Sequence, residues 1–267
     1  MDTEDNVPQN ENGFDQMRVD PNTIARLNKK RMKEMFPCQS ASFDSIYDGE
    51  NVLINDKSGN GKTHAYLIPL IERLSAAGNS SEERKPKVVI IANSRARVDQ
   101  IKFEIRSLLH DENRFLEYSA KLPELPKDIL STQLNQLSYL LQENPEQFSE
   151  VETVVFDKAD ILEYISKDKE TLEYLTELEL KLNKKPQYVM VSNLFNEVLP
   201  VFDSFFNGNY KYFNFIEEYE SSLPSHIRHH YALSEGLWND FNTIAKNILF
   251  ASFNSKKCII FMPNESN

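Results

Sequence analysis

The stretch Gly59-Asn60-Gly61-Lys62-Thr63 brings together the parts needed to hold a row of phosphates. Glycines let backbone N–H groups turn inward around phosphate oxygens, a lysine neutralises their charge, and a hydroxyl holds Mg²⁺. Gly59, Gly61, Lys62 and Thr63 supply those parts, with Ser58 and Asn60 completing the loop. The flanks agree, since NVLIN before the loop reads as a short strand and THAYLIPLIERL after it as a helix that packs on a sheet. The usual GxxxxGK[ST] pattern is broken only at its first position, where Asp56 stands. Its carboxylate is expected to repel a triphosphate by about 1 kcal/mol or more at surface-like dielectric, with Lys57 as a partial offset.

Other chemistry-bearing clusters are weaker. His226, Arg228, His229 and His230 lie close together, but no acidic or cysteine partner shares a zinc-ligand spacing with them, so no structural metal is expected. Lys29, Lys30, Arg31 and Lys33 form the clearest basic cluster, read as the solvated face of a leading helix. A formal charge of −11 gives no overall basic field of the kind that grips nucleic acid, although a local basic groove stays compatible with it. The two cysteines, Cys38 and Cys258, form no CxxC pair, which suits a reducing compartment. No leader and no membrane span are read, so the expected location is intracellular, in cytoplasm or nucleus, as a soluble protein.

These residues need a scaffold, and the hydrophobic pattern provides one. KVVIIAN, ETVVFD and QYVMVSN are short, β-branched apolar runs of the kind found in strands buried on both faces. Between them lie helical patterns: ARVDQIKFEIRSLLH, TQLNQLSYLLQE and KETLEYLTELELKLN. Alternation of strand and helix predicts an α/β fold with a doubly wound parallel sheet flanked by helices. A further helix is predicted from Asp20 with Pro21 at its first position, and a further strand in FFNGNYKYFNF.

In order along the chain, these segments resemble the DEAD-box RNA helicase family. FPCQ, ending at Gln39, is similar to the adenine-reading Q motif, and Phe14 falls at about the offset of the family's adenine-stacking aromatic. IIANSRARVDQI resembles APTRELAxQI, VVFDKADIL resembles LVLDEADRML, VMVSNLF the SAT region, and KKCIIFM the opening of a second RecA-like domain. The resemblance implies a RecA-like P-loop NTPase domain over residues 14–215 after a disordered tail at 1–13, a linker at 216–235, and the start of an incomplete second domain at 236–267. It also implies ATP or ADP bound by Phe14, Gln39, Ser58, Gly59, Asn60, Gly61, Lys62, Thr63 and Asp157, with Mg²⁺ held by Thr63 and Asp157. Arg95 and Thr132 are the positions that correspond to RNA contacts.

The departures point away from catalysis. Asp157-Lys158-Ala159-Asp160 stands in place of DEAD, so Lys158 replaces the glutamate that would activate water. A general base contributes about 10²–10⁴-fold, and a cation cannot accept that proton. Ser192-Asn193-Leu194 replaces SAT, Asn93-Ser94-Arg95-Ala96-Arg97 replaces PTREL, and Asn135 replaces the arginine of TPGR. The expectation is a nucleotide-binding protein with impaired hydrolysis and unwinding, weakened RNA binding, and protein partners in an RNA–protein assembly. The competing expectation is the amino-terminal portion of an active helicase, in which Glu163 would orient water; the blandest is a relic that binds neither nucleotide nor RNA.

Overall fold

A computed structural model describes residues 13–77, 85–109, 115–117, 128–159, 179, 185–193 and 205–216. Contacts divide the chain into Met1–Glu218 and Tyr219–Asn267, and the second unit lies outside the described residues. So do Asp160, Glu163, the histidine group near His226, and all but Glu179 of the helix predicted in KETLEYLTELELKLN.

The described part is a seven-stranded sheet with order β3-β4-β2-β5-β6-β1-β7, every described pairing parallel. Its strands are β1 (Val52–Asn55), β2 (Val88–Ala92), β3 (Phe115–Glu117), β4 (Ile129–Gln133), β5 (Thr153–Asp157), β6 (Gln187–Ser192) and β7 (Lys211–Asn214). The apolar runs become strands buried on both faces because alternate side chains feed two separate cores. Val52, Ile54, Val155, Val189 and Val191 face one core with Phe43, Ile46, Ile101 and Ile105. Leu53, Val154, Phe156, Tyr188 and Met190 face the other with Leu137, Leu141 and Phe148. β3 and β4 are strands that the sequence pattern did not reveal: β3 is three residues at the sheet edge, and β4 takes in Thr132 and Gln133, which the pattern puts at the start of the following helix.

The helices are α1 (Pro21–Lys29), α2 (Pro37–Tyr47), α3 (Lys62–Ala76), α4 (Arg95–Leu108) and α5 (Leu134–Glu143). Asp20 caps α1 by accepting from Asn22 N at 2.8 Å, with Pro21 at the first helical position. The helix ends sooner than predicted, because Arg31 adopts a left-handed φ of 64°. Lys30, Arg31 and Lys33 therefore lie beyond it, and Lys30 turns to Glu104 and Ser107 of α4. α2 was not foreseen as a helix, because its buried face carries Gln39, Ser42 and Ser45 beside Cys38, Phe43 and Ile46 and so shows no apolar stripe.

A polar knot ties the helices to the sheet at the opposite end from the glycine loop. Gln187 Nε2 donates to the carbonyls of Ile46 and Glu50 at 3.0 and 2.7 Å, while its Oε1 accepts from Arg73 at 2.9 Å and from Thr153 at 3.0 Å. Burial lowers the Arg73 pKa, yet the guanidinium stays useful because its donors are met. Replacing Gln187 by Leu removes all four of its hydrogen bonds, leaving Arg73 only Ile46 O and Thr153 and leaving the Thr153 hydroxyl without its acceptor, at about 2–3 kcal/mol. The expected result in a thermal melt followed by circular dichroism is a midpoint lowered by about 5–10 °C.

Candidate functional site

The parallel sheet sends the carboxyl ends of β1, β2, β5 and β6 to one edge, where side chains from several segments meet. β1 leads into the glycine loop and α3; β2 leads into α4; β5 ends at Asp157; β6 ends at Ser192. A cavity of about 390 Å³ opens there, lined by Gly59, Gly61, Lys62 and Thr63 of the loop, Arg97 and Glu104 of α4, Asp157, Lys158 and Asn193. That volume is in the range of small-ligand sites.

The loop holds its shape through glycines and an inward-turned carboxylate. Gly61 has φ +80°, and a Cβ there would run into the Gln39 amide and lie 2.8 Å from the Phe36 ring. Asp56 is 2 % exposed, and its Oδ1 accepts from Lys57 N and Asn60 Nδ2, both at 2.7 Å. The Asp56 carboxylate thus staples the loop from beneath and does not line the cavity, so its charge lies behind the loop and not against the phosphates. The buried Cys38 thiol donates to Asn60 O at 3.1 Å; burial first, then Asp56, pushes its pKa up to about 12, so it is no nucleophile. Lys62 Nζ bonds the carbonyls of Asp56 and Lys57, folded back across the mouth of its own loop.

Gln39 also acts from behind the loop. Its Nε2 donates to Gly61 O and its Oε1 accepts from Phe36 N, both at 3.0 Å, so its amide is engaged in both senses. Phe14, expected to stack on a base, is instead 2 % exposed and packed among Val19, Leu27 and Met35. A ring so enclosed offers no face to a ligand. Thr132 requires the same correction, since at 0 % exposure at the end of β4 it cannot touch RNA. Arg95 does project outward, 57 % exposed, paired only loosely with Asp99 at 3.4 Å.

Thr63 and Asp157 do come together, and the group that joins them is Arg97. Its Nε donates to Asp157 Oδ1 at 2.9 Å and its Nη2 to Oδ2 at 2.8 Å, while Nη2 also reaches Thr63 Oγ1 at 2.6 Å. Tyr66 donates to Asp157 Oδ2 at 2.8 Å from full burial. Burial, then the adjacent Asp157 carboxylate, raises the Tyr66 pKa far above its ordinary value, keeping it a donor. Burial opposes the Arg97 charge, but the two-point bond to Asp157 outweighs it and the pKa is raised. Breaking such a pair in a buried site costs about 3–5 kcal/mol; with Arg97 20 % exposed the figure here is about 2–3 kcal/mol. Thus the oxygens expected to hold Mg²⁺ already face a fixed cation, and the metal does not fit alongside it.

Arg97 was missed as a site residue, although the signal was present: it stands where PTREL has its leucine, on the helix face that turns toward the sheet. Lys158 is exposed to the cavity with φ 63°, a left-handed conformation that costs a lysine about 1 kcal/mol. Asn193 Nδ2 donates to Ser58 Oγ at 3.0 Å, linking the end of β6 to the glycine loop. Among the described residues, no group of three or more His, Cys, Asp or Glu could hold a metal, and no helix is long and apolar enough to cross a membrane.

His64 sits at the far wall, its Nε2 3.1 Å from Glu104 Oε2, which Lys30 also contacts. Burial lowers its pKa below the ordinary 6.5, more than Glu104 raises it. The folded protein then binds fewer protons than the unfolded chain below that value, so stability is present above pH ~6.5 and lost as pH falls further. Thermal midpoints of the wild type and of His64→Leu, compared across that range, are expected to show the steeper acid loss in the wild type.

A family model described as DEAD/DEAH box helicase matches residues 36–199, more than half of the chain. Nucleolar RNA helicase 2-B of Xenopus laevis is 35% identical over 96 residues, which cover 36% of this chain and 12% of that protein. DEAD-box ATP-dependent RNA helicase 16 of Arabidopsis thaliana is 32% identical over 97 residues, covering 36% of this chain and 16% of that one. Among solved structures, a DEAD box protein from the hyperthermophile Methanococcus jannaschii superposes with TM-score 0.62 at 17% identity, over 76% of this chain and 56% of that chain. The DEAD-box helicase Mss116 bound to ssRNA and UDP-BeF gives 0.67 at 21% identity, over 80% and 47%. The chain spans well under two thirds of the length of each of these relatives.

Proposed function

The chain belongs to the DEAD/DEAH box helicase family, and from that premise we propose that it binds ATP or ADP in the cavity at the carboxyl edge of the sheet but does not turn ATP over. Its output is then a ligand-dependent shape within an RNA–protein assembly. Residues 14–215 act as the nucleotide-binding domain and 236–267 as the opening of a second. Gly59, Gly61 and Lys62 receive the phosphates, and the N-terminal turn of α3 adds its backbone donors. Gln39 serves the site by bracing Gly61, and comes to a base only by exchanging that bond.

The observation that carries this reading is Lys158. It lines the cavity directly after Asp157, in the place where the DEAD motif has its glutamate. An ammonium there donates and cannot accept, so water is not activated at neutral pH. RNA contact on this unit is reduced to surface residues such as Arg95, because Thr132 is buried and Asn135 carries no charge. Protein partners then supply much of the assembly's affinity.

The test pairs thermal shift with phosphate release. Saturating ATP or ADP at about 100 times its dissociation constant stabilises by ~2.7 kcal/mol if it binds only the folded state. The expected result is a shift in the wild type that Lys62→Ala abolishes, with no phosphate released above the buffer rate, with or without RNA. Sustained release stimulated by RNA overturns the reading.

A further inference from the structure

The cation opposite Asp157 belongs to the protein. One guanidinium, that of Arg97, bonds both Asp157 oxygens and the Thr63 hydroxyl, and lines the same cavity as Lys62 and Lys158. We propose that Arg97 takes the place of the divalent ion, so that the site binds a nucleoside di- or triphosphate without metal. The inference deepens the nucleotide-binding reading above and rests on it.

Three observations support it. First, a hexacoordinate Mg²⁺ needs its oxygen ligands at about 2.0–2.1 Å, and Asp157 Oδ2 and Thr63 Oγ1 are already 2.8 and 2.6 Å from the same Nη2. A metal reaching those oxygens would sit at contact distance from a like charge. Second, Arg97 cannot leave by losing its proton, because a guanidinium stays charged at any working pH. Moving it away would strip Asp157, 2 % exposed, of all but its Tyr66 partner. Third, the charge balance of the cavity has changed in the direction a metal-free phosphate requires. Arginine replaces the leucine of PTREL and lysine replaces the glutamate of DEAD, so both substitutions add positive charge. Glu104 also lines the cavity, but Lys30 holds its carboxylate.

Geometry suits the role as well. Arg97 uses Nε and Nη2 on Asp157, while Nη1 donates to Gln100 Oε1 at 2.7 Å, an exposed bond that exchanges readily for a phosphate oxygen. The guanidinium is thereby fixed on one edge and available on the other.

Calorimetric titration of ADP into the purified chain, once in excess EDTA and once in excess MgCl₂, tests this. For the wild type the two dissociation constants are expected to agree within about threefold. For Arg97→Leu, binding in EDTA is expected to weaken by about tenfold or more, with MgCl₂ recovering most of the loss. Wild-type affinity that rises tenfold or more with Mg²⁺ overturns the inference and leaves the nucleotide site standing. So does an Arg97→Leu variant that binds like the wild type in both buffers. If that variant does not fold, the wild-type comparison decides by itself. Absence of ADP binding in both buffers sinks the nucleotide reading, and this inference with it.

Discussion

A carboxylate buried at the end of a parallel strand needs partners for its charge, and at Asp157 an arginine and a tyrosine supply them. Asp157 sits at the tip of β5 with 1 % of its side chain exposed, and Arg97 and Tyr66 satisfy it from α4 and α3. The same guanidinium bonds Thr63, so that three segments, α3, α4 and β5, are joined at one point. A metal ion bound by such oxygens would be exchangeable and would carry its own coordination shell. The arginine is permanent, planar and single-charged, which makes the site structurally complete before any ligand arrives.

The rest of the architecture serves to bring that junction to the mouth of the glycine loop. Parallel pairing places the ends of β1, β2, β5 and β6 side by side, and the two sheet faces are filled by alternate residues of each strand. At the opposite edge the Gln187–Arg73–Thr153 knot fixes α2 and α3 to β5 and β6, so the loop at the start of α3 is held from both ends. Asp56, Cys38 and Gln39 then support the loop from below without entering the cavity. The charged first position of the loop, which looked like damage to a phosphate site, is a piece of this support.

Much of this was legible in the sequence. The apolar runs at 88–92, 153–157 and 187–192 are strands because β-branched residues without polar alternation need burial on both faces. The glycine loop was legible because few other structures need that residue order. What escaped was information about partners. Asp56 reads as a charge facing the phosphates until Asn60 and the Lys57 amide are seen to hold it beneath the loop; Phe14 and Thr132 read as contact residues until their burial is seen. Arg97 was visible as an odd charge in a motif, but a one-dimensional pattern could not say that it faces Asp157 sixty positions downstream. α2, β3 and β4 failed for the opposite reason: α2 lacks an apolar face, β3 is too short to carry a pattern, and β4, ILSTQ, mixes polar residues into its buried run.

The most direct measurement is a crystal structure of the protein grown with ADP and MnCl₂, examined for anomalous scattering beside Asp157. The account expects ADP phosphates on the Gly59–Lys62 loop, Arg97 still bonded to Asp157 and Thr63, and no manganese between them. A manganese peak ligated by Thr63 or Asp157, with Arg97 displaced, would contradict it.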